Sequence, residues 1–371
     1  MTSKLQASEY IYQIEFEHIR NKANQTRNDL KNQTSNPGDA DKKAYFDANG
    51  FIHLPKFCTN TEIQDMKQQM RLLAEENWIT ETKQLSGFTT GDDQESAQGS
   101  DDYFFNSANK VHFFAEQNLI DPETGALRHD ANIADKMLAL NKAGHGMHMI
   151  PGAFRAYSTS HKIKSLVQEL GWVDPVIPQS MYIFKQPKVG GEVTSHQDST
   201  FLYTTPRQTC LGLWLALDDA TLENGCLWVR PGSHNEPVRR QFVRKIDDDD
   251  DDARKVSMTF QEAPDSSTAS CCAANGHVST SSIPWDGALP QESWPPPCRG
   301  LFEAGFVPVE CKAGDLLAFG GQLDHLSLAN YSDSARHTFQ LHLVEGVDAG
   351  VTWSPLNWLQ YPDGVPFLHI K

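Results

Sequence analysis

No stretch of this 371-residue chain is apolar enough to cross a membrane as a helix. The longest apolar run, Leu211–Leu217, falls far short of the roughly 18 residues a span needs. Met1–Phe16 carries Lys4, Glu9 and Glu15 and has no apolar centre, so no secretory signal is expected. Leu368–Lys371 is not a peroxisomal tripeptide. Positive charge is scarce: 32 Lys and Arg stand against 48 Asp and Glu, a net charge of −16. A nucleic acid or an anionic membrane needs clustered cations, so neither is an expected partner. The seven cysteines (58, 210, 226, 271, 272, 298 and 311) are odd in number, scattered, and form no Cys-x-x-Cys pair. That argues against a disulfide framework and for a reducing, cytoplasmic setting. No internal repeat is visible. Core material is present: 39% of residues are hydrophobic and 22% charged, as in a globular protein.

Residues 1–43 read as a helical extension, with Tyr10, Ile11, Ile14 and His18 near one face. Ser35-Asn36-Pro37-Gly38 breaks that pattern, and residues 44–371 read as one domain. Phe51–Leu54 is a short strand stopped by Pro55. Thr59 and Glu62 then form a capping box. The helix behind it carries Ile63, Met66, Met70 and Leu73 at helical spacing and runs to about Trp78. Residues 86–102, rich in Gly, Ser, Asp and Gln, read as a mobile loop. Helices are predicted at about 132–142 and 159–170, the second stopping at Gly171.

From about residue 178 the period changes to that of strands. Tyr182–Phe184, Leu211–Leu217, Cys226–Val229, Phe306–Val309, Leu316–Phe319 and His337–Val344 are the candidates. Leu211–Leu217 is nearly continuous in apolar residues, as in a strand covered on both faces, and Asn224-Gly225 is a hairpin signal. Many short strands with turn signals predict a β-barrel or sandwich core. Residues 235–304 interrupt it as an acidic, low-complexity insertion containing Asp247–Asp252 and Pro295–Pro297. The Asp run reads as a solvated loop, with a cation or basic-partner site as the alternative.

Among fourteen histidines, the sharpest candidate is His196-Gln197-Asp198. On a strand, residues i and i+2 share a face, so imidazole and carboxylate converge. The plain alternative is a surface pair at a strand end. His325 follows the Leu316–Phe319 segment and supplies a second imidazole. Two His and one carboxylate make the facial triad of non-haem Fe(II) oxygenases. It leaves three positions open, two for a bidentate 2-oxo acid and one for O₂. A closed zinc site would need a fourth ligand, with His234 and Cys226 as candidates. Arg336 stands eleven residues past His325 and Ser327 two past it. Together they can take a carboxylate, although Arg336 taken alone also reads as a surface residue. His145 and His148, at i and i+3, are alternative ligands or pocket residues.

These residues carry a resemblance. The His-x-Asp, the distant His and the Arg eleven residues later are similar to the phytanoyl-CoA dioxygenase family of Fe(II)/2-oxoglutarate oxygenases. Asn224-Gly-Cys-Leu-Trp-Val-Arg-Pro-Gly-Ser-His234 and Phe46-Asp-Ala-Asn-Gly-Phe-Ile52 agree with it. Within the family the chain resembles the domain-containing protein 1 subgroup. That rests on Asn141-Lys142-x-Gly-His145-x-x-His148, Gln179–Pro187, Gly190–Val193, Asp219–Trp228 and Thr352–Gln360. The resemblance covers about residues 44–240 and 305–360.

It implies an α+β fold, a double-stranded β-helix (jelly-roll, cupin-like) core flanked by helices. His196, Asp198 and His325 would hold Fe(II) and be catalytic. Arg336 and Ser327 would take the distal carboxylate of 2-oxoglutarate. Lys142, Met181, Gln197 and Trp214 sit where the family lines the cosubstrate pocket. From the residues alone, Met181 and Trp214 also read as core and Lys142 as solvent-facing. The implied reaction couples decarboxylation of 2-oxoglutarate to succinate with C–H hydroxylation of a small-molecule or lipid-like substrate, with O₂ as oxidant and ascorbate as a stimulant. The competing reading is a cupin-like metal-binding sensor or carrier without turnover. Two departures stand out: the 235–304 segment is long for the subgroup, and the basic N-terminal peroxisomal signal of the phytanoyl-CoA hydroxylase is absent.

Overall fold

The structure, a computed structural model, describes residues 42–80, 85–90, 99, 101–128, 135–247, 255–264 and 298–370, and the isolated positions 21 and 25. Most of the predicted 1–43 helix, most of the Asp run and Pro295–Pro297 therefore lie outside the described residues.

A nine-stranded sheet forms the larger wall. Its order is Phe51–Leu54, Leu316–Gly320, Leu211–Ala216, Thr338–Glu345, Pro175–Ile183, Leu140–His145, Val111–Glu116 and Gly87–Phe88, with Leu368–His369 added to Pro175–Ile183. Every pairing in it is antiparallel except that of the two-residue edge strand Gly87–Phe88. A second sheet holds Val307–Val309, Leu227–Val229, His325–Ser327 and Val193–His196. Strands distant in sequence alternate between the two sheets, which is the double-stranded β-helix.

The alternation of side chains along a strand gives the large sheet two different faces. Leu211, Leu213, Leu215, Phe339, Leu341 and Leu343 pack with the helices in one apolar cluster. The intervening Trp214, Gln340 and His342 line a cavity. Leu211–Ala216 is buried at every position, which explains its unbroken apolar run.

The helix Asn60–Asn77 covers the first face with Ile63, Met66, Met70 and Ala74. Its capping box is present, Thr59 and Glu62 each bonding the other's backbone N–H. Ala153–Ser158 and His161–Glu169 lie beside it. Gly171, at φ +103, follows the last of these in the left-handed region that favours glycine.

Two segments differ from the sequence reading. The helix expected over 132–142 is replaced, where described, by one tight turn at Lys136–Ala139 and the strand Leu140–His145. Pairing with Val111–Glu116 on one side and Pro175–Ile183 on the other outweighs the weak local helical pattern. Within 235–304, Arg240–Asp247 and Lys255–Glu262 form a hairpin paired over eight positions. The hairpin docks on the C-terminal segment, where Arg244 N donates to Leu356 O at 2.7 Å.

Burial opposes the charge of Glu62, but bonds from Lys162 (2.5 Å) and Thr59 prevail and hold its carboxyl at about 2, against an ordinary 4.5. A depressed folded-state pKa adds stability that is complete above the ordinary value and lost as pH falls through the folded one. Glu62→Gln is expected to lower stability at neutral pH and to flatten the decline between pH 4.5 and about 2. Urea midpoints measured across that range would show it; parallel curves for the two proteins would refute the contribution.

Candidate metal centre and cosubstrate cavity

His196 closes the strand Val193–His196, and Asp198 opens the turn Asp198–Thr200. His325 opens the strand His325–Ser327, and the register sets it directly opposite His196. The two rings lie 4.2 Å apart between centroids. Nε2 of His196 is 3.5 Å, and Nε2 of His325 3.7 Å, from Oδ1 of Asp198. All three donor atoms fall within 4.8 Å of one another.

The rings are aimed by the backbone. Nδ1–H of His196 donates to Thr194 O at 2.8 Å, and Nδ1–H of His325 to Leu323 O at 3.0 Å. A carbonyl only accepts, so in the neutral form of each imidazole the lone pair lies on Nε2, facing Asp198. Burial opposes the charge on His196, but Asp198 beside it prevails and raises its pKa. The other carboxylate oxygen, Oδ2, accepts from Nε2–H of His342 at 3.1 Å. Gly212 makes the close approach possible, because a Cβ there would stand 2.7 Å from the Phe319 ring and 3.2 Å from Oδ2 of Asp198. Burial opposes the charge on Asp198, but His342, His325 and His196 hold its carboxyl well below the carboxylate range. Burial and the neighbouring His196 push His325 down to about 4. At neutral pH the set is thus an anion beside a neutral imidazole, as ligation requires.

Asp324, the residue before His325, is fully buried and tied down by Arg230 (2.7 Å), Arg239 (2.5 Å) and Ser195 Oγ (3.0 Å). The Arg230 in this clamp belongs to the Arg-Pro-Gly-Ser-His hairpin. The clamp holds the base of the His325 strand against the Val193–His196 strand, which carries Ser195.

The triad faces a cavity of about 420 Å³ between the two sheets. Arg336 lines it while only 2% exposed. Its Nη1 donates to Gly225 O at 2.9 Å, its guanidinium carbon lies 5.3 Å from the Trp214 ring, and its Nε makes no hydrogen bond. Gly225 sits at φ +83 with no room for a Cβ, which would meet Leu328 O at 2.4 Å, so this turn needs glycine. Burial lowers Arg336 to about 10, still a cation at neutral pH. Among the described residues no carboxylate pairs with it, and a buried cation is stable only when matched by an anion. Ser327, Met181 and Trp214 line the same cavity.

Lys142 lies on a strand and is buried in the cavity wall rather than solvent-facing. Its Nζ sits 3.3 Å over the Phe88 ring and donates to Nε2 of His145 at 3.1 Å. Nδ1–H of His145 donates to Ser107 Oγ, which in turn donates to Phe104 O. Burial pushes Lys142 far below its ordinary value. His145 therefore lines the cavity without joining the triad. His148 does neither, bonding Ser180 Oγ (2.8 Å) and Tyr361 OH (3.2 Å).

Gln197 is placed differently from the expectation. Between His196 and Asp198 its side chain turns away from the cavity. Its Nε2 donates to Pro237 O and Gln322 O, and its Oε1 accepts from Arg239 N. The alternation that aims its two neighbours inward aims it outward. His234 is bonded to Asp47 O, and neither it nor Cys226 joins the triad, so among the described residues no fourth ligand closes a zinc site. Cys58, Cys210, Cys226 and Cys311 are buried and unbridged. A second ligand-type cluster, His53, Cys311 and Asp315, is bonded within itself: His53 Nε2 lies 3.0 Å from Asp315 Oδ2, and the Asp315 oxygens accept from Lys56 N and Lys312 N.

The family model for phytanoyl-CoA dioxygenase matches residues 46–338. The chain belongs to the phytanoyl-CoA dioxygenase family. Phytanoyl-CoA dioxygenase domain-containing protein 1 of Rattus norvegicus is 36% identical over 322 residues, 87% of this chain and 94% of the relative. A phytanoyl-CoA dioxygenase of Arabidopsis thaliana is 34% identical over 320 residues, 86% of this chain and 93% of its own. Among solved structures, the epimerase SnoN, in complex with Fe³⁺, alpha ketoglutarate and nogalamycin RO, superposes with a TM-score of 0.51. At 15% identity, covering 89% of this chain and 97% of SnoN, it shows a shared fold. Among the described residues no helix is long and apolar enough to cross a membrane.

As a member of this family of 2-oxoglutarate-dependent non-haem iron dioxygenases, the chain has residues that fit the cofactor. Two imidazole nitrogens and one carboxylate oxygen are a donor set suited to Fe(II). The orphaned Nε of buried Arg336 fits an anionic cosubstrate. His342 and Asp324 escaped the sequence reading because each acts on a ligand through a partner distant in the chain. The Asp324-His325 dipeptide was the one local signal. His342→Ala leaves Oδ2 of Asp198 unpaired and is expected to weaken divalent-metal binding by about 10–100-fold, as loss of such outer partners does. Co(II) titration followed by absorbance would measure it, and an unchanged affinity would exclude the role.

Proposed function

We propose that this dioxygenase family member hydroxylates a C–H bond of a small organic molecule while 2-oxoglutarate is decarboxylated to succinate. His196, Asp198 and His325 would hold the iron. Bound there with 2-oxoglutarate and O₂, the iron supplies the oxidising chemistry, and ascorbate keeps it ferrous. The chain's own residues position and shield. Arg336 and Ser327 receive the distal carboxylate of 2-oxoglutarate, with Trp214 and Met181 packed around its carbon chain. Lys142, fixed by His145 and the Phe88 ring, offers an N–H donor to the same pocket, although burial disfavours its charge. His342 keeps Oδ1 of Asp198 turned toward the imidazoles by engaging Oδ2. A carboxylate at position 198 fills the place that a halide could otherwise take, which favours hydroxylation over halogenation. In this reading residues 44–371 act as one oxygenase domain with 235–304 inserted, in a reducing cytoplasmic compartment.

The observation that carries the reading is buried Arg336, a cation without a carboxylate partner among the described residues, opening into the cavity that holds the triad. A metal-binding carrier has no need of such a group. The purified protein with Fe(II), 2-oxoglutarate and ascorbate is expected to release succinate slowly without substrate, and Asp198→Ala to abolish that release. Arg336→Ala should raise KM for 2-oxoglutarate by about tenfold or more, since truncating one partner of a buried charge pair costs about 2–5 kcal/mol. Metal binding should persist in Arg336→Ala. An unchanged KM would remove Arg336 from the cosubstrate site, and no succinate above a metal-free control would favour the carrier.

A further inference from the structure

One end of the cavity is built on a carboxyl group. Glu116 closes the strand Val111–Glu116, lines the cavity and is 3% exposed. Its Oε2 accepts from Gly191 N at 3.4 Å, and the Asn141 side chain bonds the same carboxyl. Among the described residues its Oε1 accepts no hydrogen bond. Burial raises the pKa of this carboxyl against the opposing pull of Asn141, Lys185 and Gly191. A buried carboxylate with an unserved oxygen gains most from a donor that also carries positive charge.

The surrounding lining suits the other N–H bonds of such a donor. Phe88 pairs with Glu116 at the parallel edge of the large sheet, and Thr89 and Thr90 follow it along the cavity wall. Thr90 Oγ1 donates to Glu192 O at 3.3 Å and accepts from Thr194 N at 3.2 Å, which ties this wall to the strand Val193–His196. Asn118 and Asn141 add side-chain amides, and exposed Glu192 adds a second carboxylate at the rim. The basic groups of the cavity are engaged with neutral partners. Lys185 Nζ donates to Gly191 O at 2.6 Å and Leu328 O at 2.8 Å, while burial presses its charge down. Arg336 bonds Gly225 O, Lys142 bonds His145, and the Arg240 guanidinium lies 3.9 Å over the Phe260 ring. The net charge of −16 on the whole chain favours the approach of a cation.

We propose that the substrate is a small primary amine in its ammonium form, its N–H bonds on Glu116 and its carbon chain lying along the strand Val193–His196 toward the triad. The proposal rests on the oxygenase reading of the same cavity. Gly191, bonded to Glu116, stands five residues before His196, so this strand leads from the anchor to the metal ligands. A nitrogen fixed at one end selects the carbon that reaches the triad. About 420 Å³ is near the small end of ligand cavities, roughly 300–1,000 Å³, and must also contain the 2-oxo acid, which keeps the amine small.

The test compares hexylamine, hexanol and hexyltrimethylammonium by calorimetry on full-length protein loaded with Mn(II) and 2-oxoglutarate, at neutral pH where the amine is protonated. Hexylamine is expected to bind about tenfold or more tightly than hexanol, and than the trimethyl cation, which has the charge without an N–H. Glu116→Gln should bring amine and alcohol to within about twofold, each ratio being taken within one protein, and Glu192→Gln at the rim should keep the preference. Equal binding of amine and alcohol by the natural protein, binding of neither, or an unaltered ratio in Glu116→Gln overturns the anchor. The trimethyl cation binding as tightly as hexylamine overturns it as well, and needs no variant to fold. Loss of the preference in Glu192→Gln overturns its assignment to Glu116. Probe-free succinate release by the natural protein reports separately on the oxygenase reading: an amine preference without release would leave the ammonium site standing and remove the reaction.

Discussion

The register between two short strands carries the rest of the molecule. His196 and His325 are direct antiparallel partners at the edge of the four-stranded sheet. A slip of one residue would send one imidazole to the opposite face and dissolve the ligand set. Strands of three and four residues cannot hold a register by themselves. The clamp of Arg230, Arg239 and Ser195 on buried Asp324, one residue from His325, supplies the missing constraint. Buried and fully engaged, that carboxylate specifies the pairing by leaving no alternative arrangement with its charges matched.

The second constraint is that strands of the large sheet meet two environments at once. Their outward residues form an apolar face under three helices, while their inward residues carry Lys142, Met181, Trp214 and His342 into the cavity. Stability and chemistry therefore alternate along the same backbone with period two. Gly212 shows how tightly the two are joined: a methyl group there would collide with the Phe319 ring and press on Asp198. The cavity residues on these strands are held by paired backbone, which suits positions that must not shift.

Charge inside the cavity follows one logic. Among the described residues neither Arg336 nor Lys142 pairs with a carboxylate, and neutral partners brace both: Arg336 by Gly225 O and the Trp214 face, Lys142 by His145 and the Phe88 face. Such bracing fixes geometry without cancelling charge. The positive potential remains for an anion to meet, and the apolar walls that raise the cost of an unpaired charge also strengthen its attraction for one.

Much was legible in the residues alone. The capping box at Thr59, the apolar run at Leu211, the Asn224-Gly225 turn and the spacing of His196, Asp198, His325 and Arg336 are local or short-period signals, and together they carry the family and its α+β, double-stranded β-helix core. Three things escaped. The strand Leu140–His145 reads as helix until its two neighbours are known. Gln197 reads as a pocket residue until the alternation at the end of its strand turns it outward. His342 and Asp324 have no motif, because what each does depends on a partner brought from elsewhere in the chain. Sequence by itself determined which side chains were available and the period on which they recur, since those depend on residues a few positions apart. Which of them share a cavity, and which face away from it, was decided by strand register and sheet packing, because these join segments more than a hundred residues apart.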